Sequence, residues 1–452
     1  MIFRGVVTAW CLTMMSLSFE AVSQPVAEVR ASAGFAAEVV PVAPEMAWLR
    51  EMVLQVLLSQ PELAQASAEN RVSRERWNEA RAGALPQLGL SASVGQENQY
   101  LESRTNRYTD QHSVQLRVTQ SLYDAGVTAR IRQARANTWG ADWSMVQVRE
   151  QVMLRTVELY AELVRQSRLT ELARDNLKLH RQYVGQMKDI ARVDLGRASD
   201  LPVAQSRVAL AESVLTSRLL RLEQARVLWR AHSNLPSPEE STVGPLSTVL
   251  RDLPLVDLPV SMEVGVQEAL SVHPLLQKAL ADLVSAQASI GVAAAATKPR
   301  VGAELNDRRG HNFGGIFGEQ RTWYSGLSVQ WNFAASDRFN QRAATETMRA
   351  AQEAVDTQAL RVRSSVESQW FELKAAEASL VSYQIYAEQA LSVSQSYAEQ
   401  FRIGRRSLLD VLNAENELFT ARSNEMSTKM DVQLAQWRLI SLRGLLADEL
   451  GL

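Results

Sequence analysis

Two periods of hydrophobic residues alternate along this chain. After Pro86, Leu88, Leu90, Ala92 and Val94 alternate with Gly89, Ser91, Ser93 and Gly95. Val114, Leu116, Val118, Gln120 and Leu122 then alternate with Gln115, Arg117, Thr119 and Ser121. The pattern returns late in the chain, at Val301, Ala303 and Leu305, and again at Trp323, Ser325, Leu327, Val329, Trp331 and Phe333. A period of two predicts strands near 86–95, 113–123, 299–308 and 323–333, each with one apolar and one polar face. About ten residues tilted by about 45° is the span of a transmembrane strand. The segments inside each pair are polar: residues 96–112 carry Glu97, Asn98, Glu102, Arg104, Arg107 and Asp110, and residues 309–322 carry Arg309, Gly310, Asn312, Gly314, Gly315 and Gly318. Both read as loops. Tyr100, Tyr108, Tyr123, Trp323, Tyr324, Trp331 and Phe333 lie near strand ends, where aromatics suit the two membrane interfaces. A soluble hairpin packed on a helix, with these aromatics as core, is the competing reading.

Elsewhere the period is helical. From about Val127 to Val193, apolar positions such as Met153, Val157, Tyr160, Leu163 and Val164 recur at steps of three and four. Asp337 to Arg402 is similar, with Trp370, Leu373, Leu380, Tyr383 and Ala387 as packing positions. No proline lies between Pro86 and Pro202, and none follows Pro299. Each run predicts a helix on the order of 100 Å long, packed in coiled fashion. The second ends at Gly404, suited to a left-handed C′ position. Ser407-Leu408-Leu409-Asp410 then reads as a capping box opening a new helix. Gly196 and Ser199 repeat the arrangement, with Pro202 where the second half has Asp410. Past the second turn, Asp410, Asn413 and Glu417 fall on one face, while Val411, Leu412, Leu418 and Phe419 form the packing side.

These elements occur twice. Gln60-Pro61-Glu62-Leu63 recurs as His273-Pro274-Leu275-Leu276, 213 positions on, and Leu85-Pro86-Gln87-Leu88 recurs as Lys298-Pro299-Arg300-Val301 at the same offset. Leu195-Gly196-Arg197-Ala198-Ser199 matches Ile403-Gly404-Arg405-Arg406-Ser407 at offset 208. An internal duplication of this size implies two similar halves of one architecture. The expected organisation is a signal peptide over 1–23, a flexible segment over 24–43, repeat 1 over 44–234, a proline-marked linker over 235–262, repeat 2 over 263–446 and a tail over 447–452. The signal reading rests on Arg4, an apolar stretch from Gly5 to Phe19, and Ala21-Val22-Ser23 before Gln24.

Composition removes other classes. The formal net charge is -2, which carries no electrostatic footprint for nucleic acid. Cys11, the one cysteine, lies in the apolar stretch of the signal, so no disulfide or cysteine-metal site is expected. His112, His180, His232, His273 and His311 are scattered without ligand spacing, and no phosphate loop or nucleophile elbow occurs. No metal, cofactor or enzyme chemistry is expected. After residue 24 no apolar run is long enough for a membrane helix, which leaves a soluble protein or a β-barrel. Four strands cannot close a barrel, and open edges in lipid leave backbone groups unsatisfied. Several chains must share one barrel: two would give eight strands, filled by side chains, and three would give twelve with room for a lumen, so a trimeric pore is preferred over a dimeric plug.

The Leu85-Pro86 close of an alanine-rich segment, the Gly404–Ser407 turn and the run from Asp410 to Glu415 together resemble the TolC-type outer membrane factors. The resemblance spans about Pro44 to Leu446. It implies a mainly α fold with a membrane β-barrel portion: a homotrimer with a 12-stranded barrel in the outer membrane of a Gram-negative bacterium, and a long α-helical barrel in the periplasm, closed at its tip. It further implies a periplasmic adaptor and an inner membrane ABC transporter as partners. Phe401 to Asp410 looks most like members serving type I protein secretion, including export of large adhesins. An outer component of a small-molecule efflux pump, with a proton-driven partner, is the alternative; a periplasmic coiled-coil scaffold leaves the four strands unexplained. The implied sites are a gate at Asp410, Asn413, Glu417 and Arg406, and adaptor-docking turns at Gly196, Arg197, Ser199, Gly404, Arg405 and Ser407. Tyr123, Trp323, Trp331 and Phe333 are the implied interface aromatics. Members often place two aspartates three residues apart at the constriction; here the second is Asn413, and Pro202 removes the acid from the first-half turn.

Overall fold

The computed structural model describes residues 46–101, 104–193, 199–238, 251–254, 256, 258–312 and 317–452. The expected signal and flexible segment, and Gly196 and Arg197 of the first-half turn, lie outside the described residues.

The duplication is visible element by element. The first half runs α1 (Ala47–Ser59), α2 (Pro61–Ala82), β1 (Gln87–Leu101), β2 (Arg104–Tyr123), α3 (Ala125–Val193) and α4 (Asp200–Ser233). The second runs α5 (Met262–Val272), α6 (Pro274–Ala295), β3 (Arg300–His311), β4 (Glu319–Gln330), α7 (Ala335–Arg402) and α8 (Leu408–Leu442), followed by a short α9 (Leu446–Leu450). Pro61 and Pro274 open α2 and α6 at the first turn, where a missing N–H costs nothing. Aspartates start both long helices. Asp124 Oδ1 accepts from the N–H groups of Gly126 and Val127 at 2.7 and 3.3 Å, and Asp337 Oδ2 accepts from Ala334 N–H at 3.1 Å. The 69 residues of α3 and 68 of α7 give lengths of roughly 100 Å.

The four strands form one antiparallel sheet in the order β1-β2-β3-β4. The β2–β3 ladder therefore joins the two halves. Cross-strand partners place Leu90 beside Leu116, Val118 beside Leu305, Ala303 beside Leu327 and Val301 beside Val329, a continuous apolar face. Arg117 and Glu304 pair at 3.1 Å on the opposite, polar face.

The strands outrun the alternation that marks them. The expected loop over 96–112 is mostly ladder: Gln96 pairs with Asp110, Glu97 with Thr109 and Asn98 with Tyr108. Likewise β3 continues to His311 and β4 begins at Glu319. Backbone ladders do not require an apolar face, so the polar ends of these strands stay paired while their alternation disappears. At its other end β4 stops at Gln330, before Trp331 and Phe333, whose alternation suggested strand. There Trp331 Nε1–H donates to the Thr297 carbonyl at 3.0 Å, and its ring lies 5.0 Å from that of Phe333.

The largest core sits midway along the helices. Leu49, Val53 and Val56 of α1, Met153, Val157, Tyr160 and Leu163 of α3, Trp229 of α4, Trp437 of α8 and Leu446 and Leu450 of α9 close around one another. A separate cluster of Tyr183, Met187, Ala204, Phe401, Leu408, Val411 and Leu412 binds the ends of α3, α4, α7 and α8 together, far from the sheet.

Candidate functional site

At that remote end, α7 reverses into α8 through a turn closed by its own backbone. Gly404 has φ +75, Arg405 N–H reaches the Gln400 carbonyl at 2.9 Å, and Gly404 N–H reaches the Phe401 carbonyl at 3.0 Å. These two bonds are the Schellman pair that satisfies the last carbonyls of a helix. A Cβ on Gly404 would meet nothing within 4 Å, so the need for glycine is conformational rather than steric. Ser407 Oγ accepts from Asp410 N–H at 3.2 Å, the forward half of the capping box. The Asp410 carboxylate turns toward Arg406, whose Nη1 lies 4.0 Å from Oδ2. Arg406 is held mainly by its stacking on Tyr397, with the guanidinium carbon 3.8 Å from the ring centre. The partly exposed Arg406–Asp410 pair contributes little by itself.

The first-half turn is built differently. Ser199 has helical backbone angles and makes no capping bond through its side chain, contrary to the expected repeat of the Ser407 cap. Asp200 and Pro202 fill the first turn of α4, where a proline's fixed φ suits the helix without a capping hydroxyl.

The three residues expected on one face of α8 do not share one environment. Asn413 Oδ1 accepts from Arg207 Nη2 of α4 at 3.0 Å. Glu417 Oε1 accepts from the Tyr386 hydroxyl of α7 at 3.2 Å. Among the described residues, Asp410 has its neighbour Arg406 within ion-pair distance. Asn413 thus ties the second half to the first, and Glu417 ties α8 back to α7.

A further carboxylate, Glu415, is buried between them. Its Oε1 accepts from Ser394 Oγ of α7 at 2.7 Å and from the Tyr183 hydroxyl of α3 at 3.4 Å. Burial, then the Glu415 charge, push the Tyr183 phenol up to about 12, so it stays a donor at neutral pH. Nearby His180 is buried, and burial followed by the Arg207 cation lowers its pKa. The signal for Glu415 was present in the sequence: Val411, Glu415 and Leu418 lie at steps of four and three, which put a carboxylate inside the packing stripe. Arg207 and Tyr183 carried no such mark, because their partners lie more than 200 positions away.

At the sheet, Tyr123 and, just past β4, Trp331 and Phe333 stand at the end next to the helices, and Trp323 stands toward the far end. All four side chains are exposed, as are Leu90 in the row of Trp323 and Leu88, Leu327 and Val329 between those levels. Exposed aromatics at both margins of an exposed apolar band have the layout of a lipid-facing barrel wall.

The profile of the outer membrane efflux protein family matches residues 53–228 and 265–445, one stretch in each half. The chain belongs to this family, and is an outer membrane efflux channel of the TolC type, seated in the outer membrane of a Gram-negative bacterium and extending into the periplasm. Among curated relatives, the outer membrane efflux protein BepC of Brucella suis is 21% identical over 387 residues, covering 84% of this chain and 82% of BepC. The outer membrane protein TolC of Vibrio cholerae is also 21% identical, covering 89% of this chain and 91% of TolC. Among solved structures, the outer-membrane channel OprN superposes with a TM-score of 0.76 at 21% identity, covering 94% of this chain and 98% of OprN.

Proposed function

We propose that the protein is the outer membrane channel-tunnel of a type I secretion system, exporting proteins, large adhesins among them, through a homotrimeric pore. Three chains, each adding four strands, close a 12-stranded barrel by pairing β4 of one chain with β1 of the next. The support for this is the sheet itself: its outer strands are both open edges, which lipid does not tolerate. Exposed Phe339, Leu360, Phe371, Val381 and Ile385 along α7 give the helices apolar surface to bury against neighbouring copies. A periplasmic adaptor recruits an inner membrane ABC transporter to the turns between the long helices, and the tip around Asp410 and Arg406 is the gate.

The observation that carries the secretion reading is the turn from Phe401 to Asp410, with its Schellman closure and the Arg406–Tyr397 stack. Its sequence is the part of the chain most like secretion members. Efflux of small molecules is the second reading, favoured by the family description and by BepC, itself named an efflux protein. Deleting the gene and comparing the medium with the parent's separates them. Loss of a large secreted protein at unchanged drug susceptibility is the expected result. Increased drug susceptibility with an unchanged secreted fraction overturns the secretion reading in favour of efflux.

A further inference from the structure

On the apolar face of the sheet, the chemistry changes within one step of the ladder beyond Trp323. Leu116, Asp307 and Trp323 form one cross-strand row; Val114, Arg309 and Arg321 form the next on that face; His112, His311 and Glu319 form the one after. Arg309 and Arg321 stand directly opposite each other, a placement in which like charges repel. A single carboxylate serves both. Arg321 Nε and Nη2 each lie 3.2 Å from an oxygen of Asp307, and Arg309 Nη2 lies 3.3 Å from Oδ2. The two arginine side chains remain 64% and 61% exposed, while Asp307 is 24% exposed. Two guanidinium groups share this one carboxylate, and the other carboxylate of these rows, Glu319, stands one row further out on the same face. On the other face Arg117 pairs with Glu304 at 3.1 Å, and Arg308 reaches the Ser113 hydroxyl. The stacked rings of His112 and His311, 5.3 Å apart, border the cluster on the side away from Trp323.

The position of these two exposed guanidinium groups limits what can bind them. Toward the helices lies the exposed apolar band of Leu116, Leu305, Leu327 and Val329. The helical body is periplasmic, so the end of the sheet that carries the arginines is the outer-leaflet end. An occupant must combine hydrocarbon for the band with an anion at the height of Arg309. Guanidinium forks match phosphate oxygens in pairs, and N–H donors beyond those bound to Asp307 remain on both exposed side chains. A free anion would meet the arginines and leave the band unused.

We propose that Arg309 and Arg321 form a binding site for the phosphate of an outer-leaflet lipid whose acyl chains lie along Leu116, Trp323 and Leu327. Asp307 is the positioning residue: it aims both guanidinium groups and holds the like-charged pair together until the phosphate binds.

The test is native mass spectrometry of the purified assembly in detergent, titrated with bis-phosphorylated lipid A. Dephosphorylated lipid A and inorganic phosphate serve as the two controls. Retained phosphorylated lipid is expected, with affinity falling about tenfold or more in the Arg309→Gln/Arg321→Gln double variant. Arg117→Gln, on the opposite face, is expected to bind as the parent does. Dephosphorylated lipid is expected to bind more weakly, and equally to parent and double variant. Equimolar inorganic phosphate is expected not to displace the lipid. Equal binding of the two lipids, or parental affinity in the double variant, overturns the site; displacement by equimolar phosphate reduces it to an anion site without a lipid. Should the double variant fail to assemble, Arg321→Lys keeps the charge and loses the fork. Reduced affinity for the phosphorylated lipid then supports the site, and parental affinity overturns it.

Discussion

At the scale of single residues, the tip depends on groups whose partners are fixed by burial. Glu415 holds the hydroxyls of Ser394 and Tyr183 in the cluster that binds the helix ends. Glu415→Ala leaves two buried donors without an acceptor, at a cost of about 1–3 kcal/mol each. Thermal unfolding of the variant is expected to show lower stability, with Glu415→Gln intermediate; parental stability in Glu415→Ala would show that the carboxylate carries nothing. Glu150 behaves differently. Burial pushes its carboxyl up to about 7, against a backbone hydrogen bond at Ala447 that lowers it. A folded-state pKa above the unfolded value means that the folded state holds the extra proton. The associated stability is present below about pH 4.5, the ordinary value of a glutamate carboxyl, and is lost as pH rises through about 7. Glu150→Gln removes this loss. It is expected to raise the melting temperature relative to the parent at pH 8 and to leave it near the parent's at pH 4. A parallel shift at both pH values would mean that the proton is not involved.

At the scale of elements, the sheet and the turns follow different rules. The apolar face of the sheet is set by register, so a charge placed between the aromatic margins is exposed to hydrocarbon. Leu327 lies between Trp323 and Trp331 and faces Ala303 across the ladder. Leu327→Arg is expected to cost about 2–4 kcal/mol near the bilayer midplane and to reduce the folded fraction recovered from outer membranes. Leu116→Arg is a weaker test, because Leu116 stands in the row of Asp307 and Trp323, at the margin of the band. Normal insertion of Leu327→Arg would move the lipid face elsewhere. The turn obeys backbone geometry instead. With open space around Gly404, an added methyl group meets no neighbour, and only the left-handed φ is strained. Gly404→Ala is expected to cost about 1–2 kcal/mol, seen as earlier melting and weaker recovery of adaptor in cross-linking. Gly404→Asn is expected to stay close to the parent, since asparagine tolerates that conformation.

At the scale of the whole molecule, the tip is where three copies would converge. Asp410 has Arg406 as its neighbour at 4.0 Å, and Arg406 is itself anchored on Tyr397. A threefold ring of Asp410 carboxylates would repel, and the Arg406 guanidinium groups are placed to offset it. Arg406→Ala is therefore expected to loosen the closed state and admit vancomycin-sized antibiotics to the cell. Asp410→Ala is expected to alter conductance and cation block in planar bilayers. Parental values for both would leave Asp410 as a carboxylate in the first turn of α8 and Arg406 as a packing residue.

Local chemistry made much of this legible from the chain alone. Paired prolines, long proline-free helical periods and four alternating segments specify elements because each acts over a few residues: a ring that fixes φ, a stripe of apolar side chains, a pleat. The Gly404 turn and the Ser407 cap are equally local, and the structure has both. The ends of the strands were not legible, since a ladder persists on backbone hydrogen bonds after its side chains stop alternating. Ser199 was misread for a related reason: a matching motif does not impose a cap where a proline already suits the first turn. The pairing of β2 with β3, the Arg207–Asn413 bond and the Tyr183–Glu415 contact belong to the tertiary structure alone. Each joins residues from different halves of the chain, and only the packing of the helices against one another decides which of many polar side chains meet.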